Sequence, residues 1–438
     1  MPIAPAPVAP RPPVADRVVL ITIDTLRADA LGVHDGLAET PSLDRLARTG
    51  WDFTRCFSAS MLTNPSHASI MTSLYPRDHG VYDNESGVRA DARTLAAALS
   101  RQGLRTVAVI GFPHLNPEVS GLGAGFDKVV RAERTERQAS NTTRAALAAL
   151  DESAPAGPFF LWVHYTDPHA PYEPPPDVAV PSLPMSTPMA VAARAAPGFQ
   201  RHNPWFEMVF RRERFAEALV ARYLGEVSAA DRAVGELITG LTDRGRMART
   251  AIVVTSDHGE QFGEHHLWFH HGSLYKESVQ VPLIVRAPGQ TPARVDGLTA
   301  TVDIAPTVLE LVGAPRWEPM RGASLVDVAR GLTPGRSVVF SEHINGELAS
   351  LRSPEATLIV HRKSSSQYPT YDLVAGKIEY YETRDDPGEQ RPLRPDGAGA
   401  RALEAQLWRL VGRGGEPVVR RASLQSNRES LRALGYIE

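Results

Sequence analysis

Five short, strongly apolar runs, Val18–Ile23, Thr106–Ile110, Phe159–His164, Ala251–Thr255 and Pro282–Val285, recur along the chain. They are too short for buried helices and too continuous for half-exposed strands, so they read as strands covered on both faces. The stretches between them, Ser42–Thr49, Thr94–Gln102, Thr143–Leu150 and Phe215–Leu241, carry a helical period. Strands alternating with helices specify an α/β protein with a large, mostly parallel sheet flanked by helices. That architecture also says where to look for function, because ligands of parallel sheets bind at the carboxyl ends of the strands.

Composition narrows the class. A hydrophobic fraction of 42% and a charged fraction of 22% over 438 residues exclude a disordered or fibrous chain. A net charge of −3 gives no basic footprint, so a nucleic-acid partner is not expected. No apolar run approaches the ~20 residues that span a bilayer. Cys56 is the only cysteine, which excludes an intrachain disulfide. Residues 1–16 form a flexible, Pro-rich start without the charged and apolar regions of a signal peptide, so a cytoplasmic location is expected, with export left open. Residues 17–336 read as the main α/β domain. Within it, 174–212, which includes Trp205, Phe206, Met208 and Phe210, reads as a lid or a surface insertion. From Ser337 the pattern changes to strand-like pieces, Val338–Ser341, Ala356–His361 and Tyr371–Val374, then a helical Ala402–Leu410, so 337–438 is a small antiparallel α+β subdomain. Oligomeric state leaves no mark in the sequence.

Two of the apolar runs end in metal-ligand chemistry. Asp24 follows Ile21-Thr22-Ile23, and Asp257-His258 follow Val253-Val254-Thr255-Ser256. A single strand-end aspartate reads most simply as a helix cap, whereas two carboxylates and an imidazole at adjacent strand ends converge on one cation. Five of the 14 histidines crowd into 258–271. Of these, His258 beside Asp257 and His271 before Gly272 are singled out, the others being compatible with a solvated loop. Thr63 opens Thr63-Asn64-Pro65-Ser66-His67, a helix start. It reads either as the helix cap or as a nucleophile activated by the positive end of the helix and by a bound cation.

These motifs in this order resemble the sulfatase branch of the alkaline phosphatase superfamily over nearly the whole chain. Its parts are Ile23-Asp24-Thr25-Leu26-Arg27, Thr63 to His67, Leu74-Tyr75-Pro76 with His79-Gly80-Val81, Asp167-Pro168-His169-Ala170-Pro171-Tyr172, Asp257-His258-Gly259-Glu260, and His271-Gly272. Tyr371-Asp372-Leu373 and Asp386-Pro387-Gly388-Glu389 are similar to the family's C-terminal subdomain. The resemblance implies that Asp24, Asp257 and His258 bind metal with Thr63 as nucleophile and fourth donor. It places His169 and His271 at substrate-oxygen and leaving-group contacts. Asn84, Asn64 and His67 become substrate-binding positions.

Where the chain departs from the family pattern, the expected chemistry changes. Sulfatases of this kind oxidise a Cys or Ser in a C/S-x-P-x-R motif to formylglycine. Here Thr63 stands at the nucleophile, His67 replaces the arginine, and Thr25 replaces a second metal-binding aspartate. Relatives with a threonine nucleophile act on phosphoesters. The expected function is therefore a metal-dependent hydrolase cleaving a phosphodiester or phosphomonoester, a small anionic substrate, through phosphothreonine. A sulfatase is the alternative, and a catalytically silent anion-binding member the third reading. Threonine-type transferases carry membrane helices, and this chain shows none, so water is the expected acceptor. With nitrogen from His258 and fewer carboxylates, zinc or manganese is expected over calcium. One cation is the base expectation, and Asp167, His169 and His271 are the residues that would hold a second.

Overall fold

A computed structural model describes residues 11–133, 137–154, 157–195, 213–364 and 374–412. Its large sheet contains β1 (Arg17–Ile23), β2 (Trp51–Phe57), β3 (Arg105–Ile110), β4 (Lys128–Val130), β5 (Phe159–Tyr165), β6 (Thr250–Ser256), β9 (Gln280–Arg286), β10 (Ala293–Val295) and β11 (Thr299–Ala300), with β7 (Gln261–Phe262) and β8 (Trp268–His270) pairing apart from it. The order is β10-β2-β9-β6-β1-β5-β3-β4, with β11 also on β2. β1 runs parallel to both β5 and β6, and β9 is antiparallel to both β6 and β2. The sheet is thus parallel at its centre and mixed towards one edge. The run at 282–285, within β9, departs from the parallel centre. It reverses direction because it follows β6 through a loop that carries no crossover helix, and a parallel return needs one.

The side-chain period of two sorts each strand into two cores. Val18 and Leu20 of β1, Phe160 and Trp162 of β5, and Ala251 and Val253 of β6 pack on one face with Ala68, Ile70 and Met71 of the helix Thr63–Thr72. Val19, Ile21 and Ile23, with Leu161, Val163, Ile252 and Val254, pack on the other face against the helices Pro41–Thr49, Ala139–Ser153 and Ala216–Asp243. In chain order these helices are α1 (Pro41–Thr49), α2 (Thr63–Thr72), α3 (Ala139–Ser153) and α4 (Ala216–Asp243). α4, 28 residues long, buries a continuous stripe from Leu219 to Leu241. No helix among the described residues is long and apolar enough to cross a membrane.

A second sheet, β12 (Val339–Glu342), β13 (Leu348–Arg352), β14 (Ala356–His361) and β15 (Ile378–Glu382), is antiparallel throughout. Its inner face, Val339, Leu348, Ile359 and Tyr381, packs under Met61, Leu62, Leu274 and Tyr275. Its outer face is covered by the C-terminal helix α5 (Ala398–Val411) through Leu403 and Leu407. The sequence pattern misses β13, whose Leu348-Ala349-Ser350-Leu351-Arg352 lacks a β-branched residue. The expected strand at 371–374 lies almost wholly outside the described residues, as do 196–212 of the expected lid, with all four of its singled-out aromatic and methionine residues. What is described of that segment ends in the short helix Met189–Ala195, and Pro174 and Val180 lie over Gly225 of α4.

Candidate active site

Strand parity assembles the site. The row Val18, Leu20, Thr22 continues to Asp24; the row Ala251, Val253, Thr255 continues to Asp257; and Phe160, Trp162 continue to His164. β6, β1 and β5 are adjacent and in register, Thr22 lying opposite both Thr255 and His164. The three rows therefore end side by side on the face that α2 covers.

Asp24, Asp257 and His258 come within 4.8 Å of one another through one ligand atom each, and all three are fully buried. His258 Nε2 lies 3.5 Å from Asp257 Oδ2 and 3.8 Å from Asp24 Oδ1. His258 Nδ1 donates to Gly259 O at 3.0 Å, which leaves the Nε2 lone pair facing the carboxylates. Neither Asp24 oxygen, nor Asp257 Oδ2, nor His258 Nε2 has a hydrogen-bond partner. Buried, unpaired anions beside an imidazole lone pair fit a divalent cation and little else. Burial, then the neighbouring Asp24, pushes the Asp257 carboxyl up to about 6. Burial works against ionisation of Asp24 too, but His164, His169 and His258 outweigh it and hold that carboxyl below its ordinary range.

Backbone conformation fixes the first of these ligands. Thr25, a β-branched residue, takes φ 53°, a left-handed geometry that such residues avoid. It is held by its amide on Asp257 Oδ1 at 3.3 Å and by Tyr223 of α4, whose hydroxyl donates to Thr25 O at 2.9 Å. The second ligand loop is wedged equally tightly: Gly259 N donates to Ser278 O at 2.8 Å, and a Cβ on Gly259 would stand 2.0 Å from Glu277 O.

Thr63 lies in the first turn of α2. The cap position falls to Leu62 and no side chain caps the helix, so Thr63 is not the cap that the sequence suggested. The reason is that the helix begins one residue earlier than a capping threonine requires. One turn on, His67 donates from Nδ1 to Thr63 O at 2.8 Å and stands 3.7 Å from Asp257 Oδ2. Its Nε2 accepts from the Thr22 hydroxyl at 3.0 Å, and Thr22 in turn accepts from Trp162 Nε1 at 3.0 Å. With both nitrogens bonded and no exposure, His67 has no atom left for a ligand, which departs from its expected substrate contact. Burial, then His164, pushes its pKa down to about 3, so it acts as a neutral brace between Thr63 and the aspartates. Asn84 Oδ1 accepts from Asn64 N at 2.9 Å, and Asn64 Nδ2 donates to Asn84 O and Ser86 O, which anchors Asn84 at the start of α2.

The two expected proton-transfer histidines flank this group. His271 stacks on His258, ring centroids 4.3 Å apart, and donates from Nδ1 to Met61 O at 2.8 Å. His169 lies 6.4 Å from His271, centroid to centroid, and donates from Nδ1 to Ala170 O at 2.7 Å. Both rings are thereby held with the proton on Nδ1. Asp167, His169 and His271 do not gather as a metal-binding trio among the described residues; the second trio there is His67, His164 and Asp257. Of the other crowded histidines, His265 stacks on Tyr275, ring centroids 3.5 Å apart, while His270 stacks on His271 at 5.8 Å and its Nδ1 accepts from Gly272 N at 2.6 Å.

Three residues that the sequence reading passed over belong here. His164 ends the β5 row, and His114 follows β3, buried against Phe112, with burial pushing its pKa down to about 3. Glu260, buried and bonded by the Tyr172 hydroxyl at 3.1 Å, is pushed up to about 7, chiefly by burial. The strand-end rule that found Asp24 and Asp257 finds His164 and His114 once it is applied to every run.

Known proteins share this frame. A model of the sulfatase family matches residues 16–314, and one for the C-terminal region of N-sulphoglucosamine sulphohydrolase matches residues 263–408. An arylsulfatase of Clostridium perfringens is 24% identical, covering 85% of this chain and 89% of its own. A multifunctional alkaline phosphatase superfamily protein of Trinickia caryophylli is also 24% identical, over 90% of this chain and 95% of its own. In structure, a phosphonate monoester hydrolase of Silicibacter pomeroyi superposes with a TM-score of 0.72 at 23% identity, over 91% of this chain and 96% of its own.

Proposed function

The chain belongs to the sulfatase family, and from that premise we propose that it is a metal-dependent hydrolase that cleaves phosphoesters through a phosphothreonine on Thr63. Ester hydrolysis is the common ground of the family. The preference for phosphorus is carried by one observation: the residue at the head of α2, braced by His67 beside the aspartates, is a threonine. A hydrated formylglycine sheds sulfate when its second hydroxyl collapses to an aldehyde. A sulfated threonine has no second hydroxyl and is trapped, whereas a phosphorylated one is open to attack by water.

In this reading Thr63 Oγ1 attacks phosphorus and the bond to the leaving oxygen breaks. The hydroxyl proton passes to an imidazole Nε2 and from there to the leaving oxygen. His271, stacked on His258 with ring centroids 4.3 Å apart, is the candidate for this transfer. A water that gives its proton to the same Nε2 then attacks phosphorus, the bond to Oγ1 breaks, and Thr63 recovers its proton. Asp24, Asp257 and His258 would hold the divalent cation, which supplies Lewis acidity to the hydroxyl and to the phosphoryl oxygens, and this mixed N/O set favours zinc or manganese over calcium.

The test is an activity panel of phosphomonoester, phosphodiester, phosphonate and sulfate esters with several divalent metals. Thr63→Ala should lower phosphoester turnover by roughly 10³-fold or more, and Thr63→Ser should keep part of it. The arylsulfatase likeness favours a second reading, sulfate-ester hydrolysis. It replaces the first if protein with intact Thr63 shows a higher kcat/KM on an aryl sulfate than on every phosphoester tested.

A further inference from the structure

A cleft of about 400 Å³ between the two sheets takes no part in the reading above. The large sheet lends it Arg55 and Phe57 of β2, with Lys276 from the segment that leads into β9. The small sheet lends Arg352 and Thr357, and Arg384 follows β15. None of the residues assigned to the catalytic centre lines it. Arg352 and Thr357 pair at one end of β13 and β14. The small sheet meets the catalytic centre from its opposite end, where His343, just after β12, donates from Nε2 to Gly272 O at 2.9 Å beside His271.

Four cations line this cleft, and the only acidic residue among its lining is Glu389. That carboxylate is already spent: Oε1 accepts from Thr357 Oγ1 at 2.7 Å, and Oε2 accepts from Lys276 N at 3.0 Å and Arg352 Nη2 at 3.3 Å. Arg352 is 2% exposed and lies over the Phe57 ring, 5.1 Å from its centroid. Its terminal nitrogens bond Ser350 Oγ and Leu274 O, but its Nε is buried with no hydrogen-bond partner. Among the described residues, Arg55, Lys276 and Arg384 make no ion pair. Arg55 donates to Pro354 O at 2.9 Å, and burial lowers its pKa although Glu355 and Asp296 oppose the shift. Cations gathered in a concavity and not neutralised there focus a positive field, and guanidinium groups match the oxygens of phosphate and sulfate.

We propose that this cleft is a second anion site, which binds a tetrahedral oxyanion, phosphate or sulfate, free or at the end of a small molecule. It stands whether Thr63 acts on phosphorus or on sulfur, since it uses none of the same residues. The volume lies within the roughly 300–1,000 Å³ of small-ligand pockets, so an organic group attached to the anion has room.

The experiment titrates the full chain calorimetrically, at constant chloride, with inorganic phosphate, inorganic sulfate and phenylphosphonate, which has no ester bond to cleave. Arg55→Gln should weaken binding by roughly 10-fold, and Arg384→Gln, at an exposed position, by roughly 3-fold. Inhibition of turnover by the same probes reads the catalytic centre and should be unchanged in both variants. Melting curves check that the variants fold, and Arg384→Glu, a charge reversal in an exposed turn, is the substitute if Arg55→Gln does not. Equal affinity for phosphate and phenylphosphonate supports a site for the free ion, and tighter phenylphosphonate supports one for an organic anion. Binding that the folded arginine variants leave unchanged overturns the proposal. So does a loss of binding matched by an equal loss of inhibition, which would put the anion at the catalytic centre. A chain that binds none of the three probes overturns it as well.

Discussion

His169 and His271 each spend the Nδ1 proton on a backbone carbonyl, that of Ala170 and that of Met61. That is the arrangement of a proton carrier held in one tautomer. If these rings serve the leaving oxygen, replacing either with alanine should slow alkyl phosphoesters by about 10²–10⁴-fold while hardly affecting nitrophenyl esters, whose leaving group departs without a proton. The comparison is made as kcat/KM on matched ester pairs. An equal loss on both esters assigns the ring to packing or to the metal. Thr25 and Gly259 matter at this scale for their backbones. One holds a strained left-handed turn and the other a glycine-only approach, so the ligands they precede or follow are positioned before any substrate arrives.

The short helix Lys276–Val279 forms the rear wall of the Asp257–Glu260 loop, and its Glu277 is buried, with Oε2 making no hydrogen bond and lying 3.8 Å from His265 Nε2. Burial, with Glu264 and Glu389 nearby, pushes the Glu277 carboxyl up to about 8 from its ordinary value near 4.5. The fold therefore binds a proton there that the unfolded chain has released. Stability from this group is fully present below about pH 4.5 and declines as pH rises towards 8, by up to about 1.4 kcal/mol per unit. Glu277→Gln should flatten that decline, read as Tm against pH between 5 and 9. A wild-type and a variant that lose Tm in parallel over this range would show that Glu277 is not the group responsible.

Across the whole molecule the small sheet is a support for the site as much as a separate layer. Glu379 of β15 accepts from the hydroxyls of Tyr275 at 2.7 Å and Tyr381 at 2.6 Å, and pairs with His361 Nε2 at 2.7 Å. Tyr275 lies four residues beyond His271, so this carboxylate ties the second sheet to the segment that carries an active-site ring. Although burial opposes it, His361 and the two tyrosines hold Glu379 below its ordinary range. With a depressed folded pKa, its contribution is present above the unfolded value near 4.5 and is lost as pH falls. Glu379→Gln should lower stability by about 2–4 kcal/mol at pH 7, and by less near pH 3, where part of the contribution has been lost, in denaturant melts at the two pH values. A loss of the same size at both would assign the effect to packing.

The amino-acid sequence by itself determined the α/β class, the parallel centre of the sheet and the Asp24, Asp257 and His258 group. Those features rest on local signals: continuous apolar runs, and ligand residues placed at their ends, where the backbone alone aims them at one crevice. It also placed Thr63 at the head of α2. It did not show that β9 runs against its neighbours, that β13 exists, or that Thr63 leaves the capping position to Leu62, because direction, pairing and cap register depend on what each segment meets in space. The separation of His67 from His164 is of the same kind. Both are histidines near the end of a regular element, and nothing in their own neighbourhoods tells them apart. Only the tertiary structure decided it, by supplying Thr22 and the Thr63 carbonyl to one ring and setting the other 3.6 Å from Asp24 Oδ2.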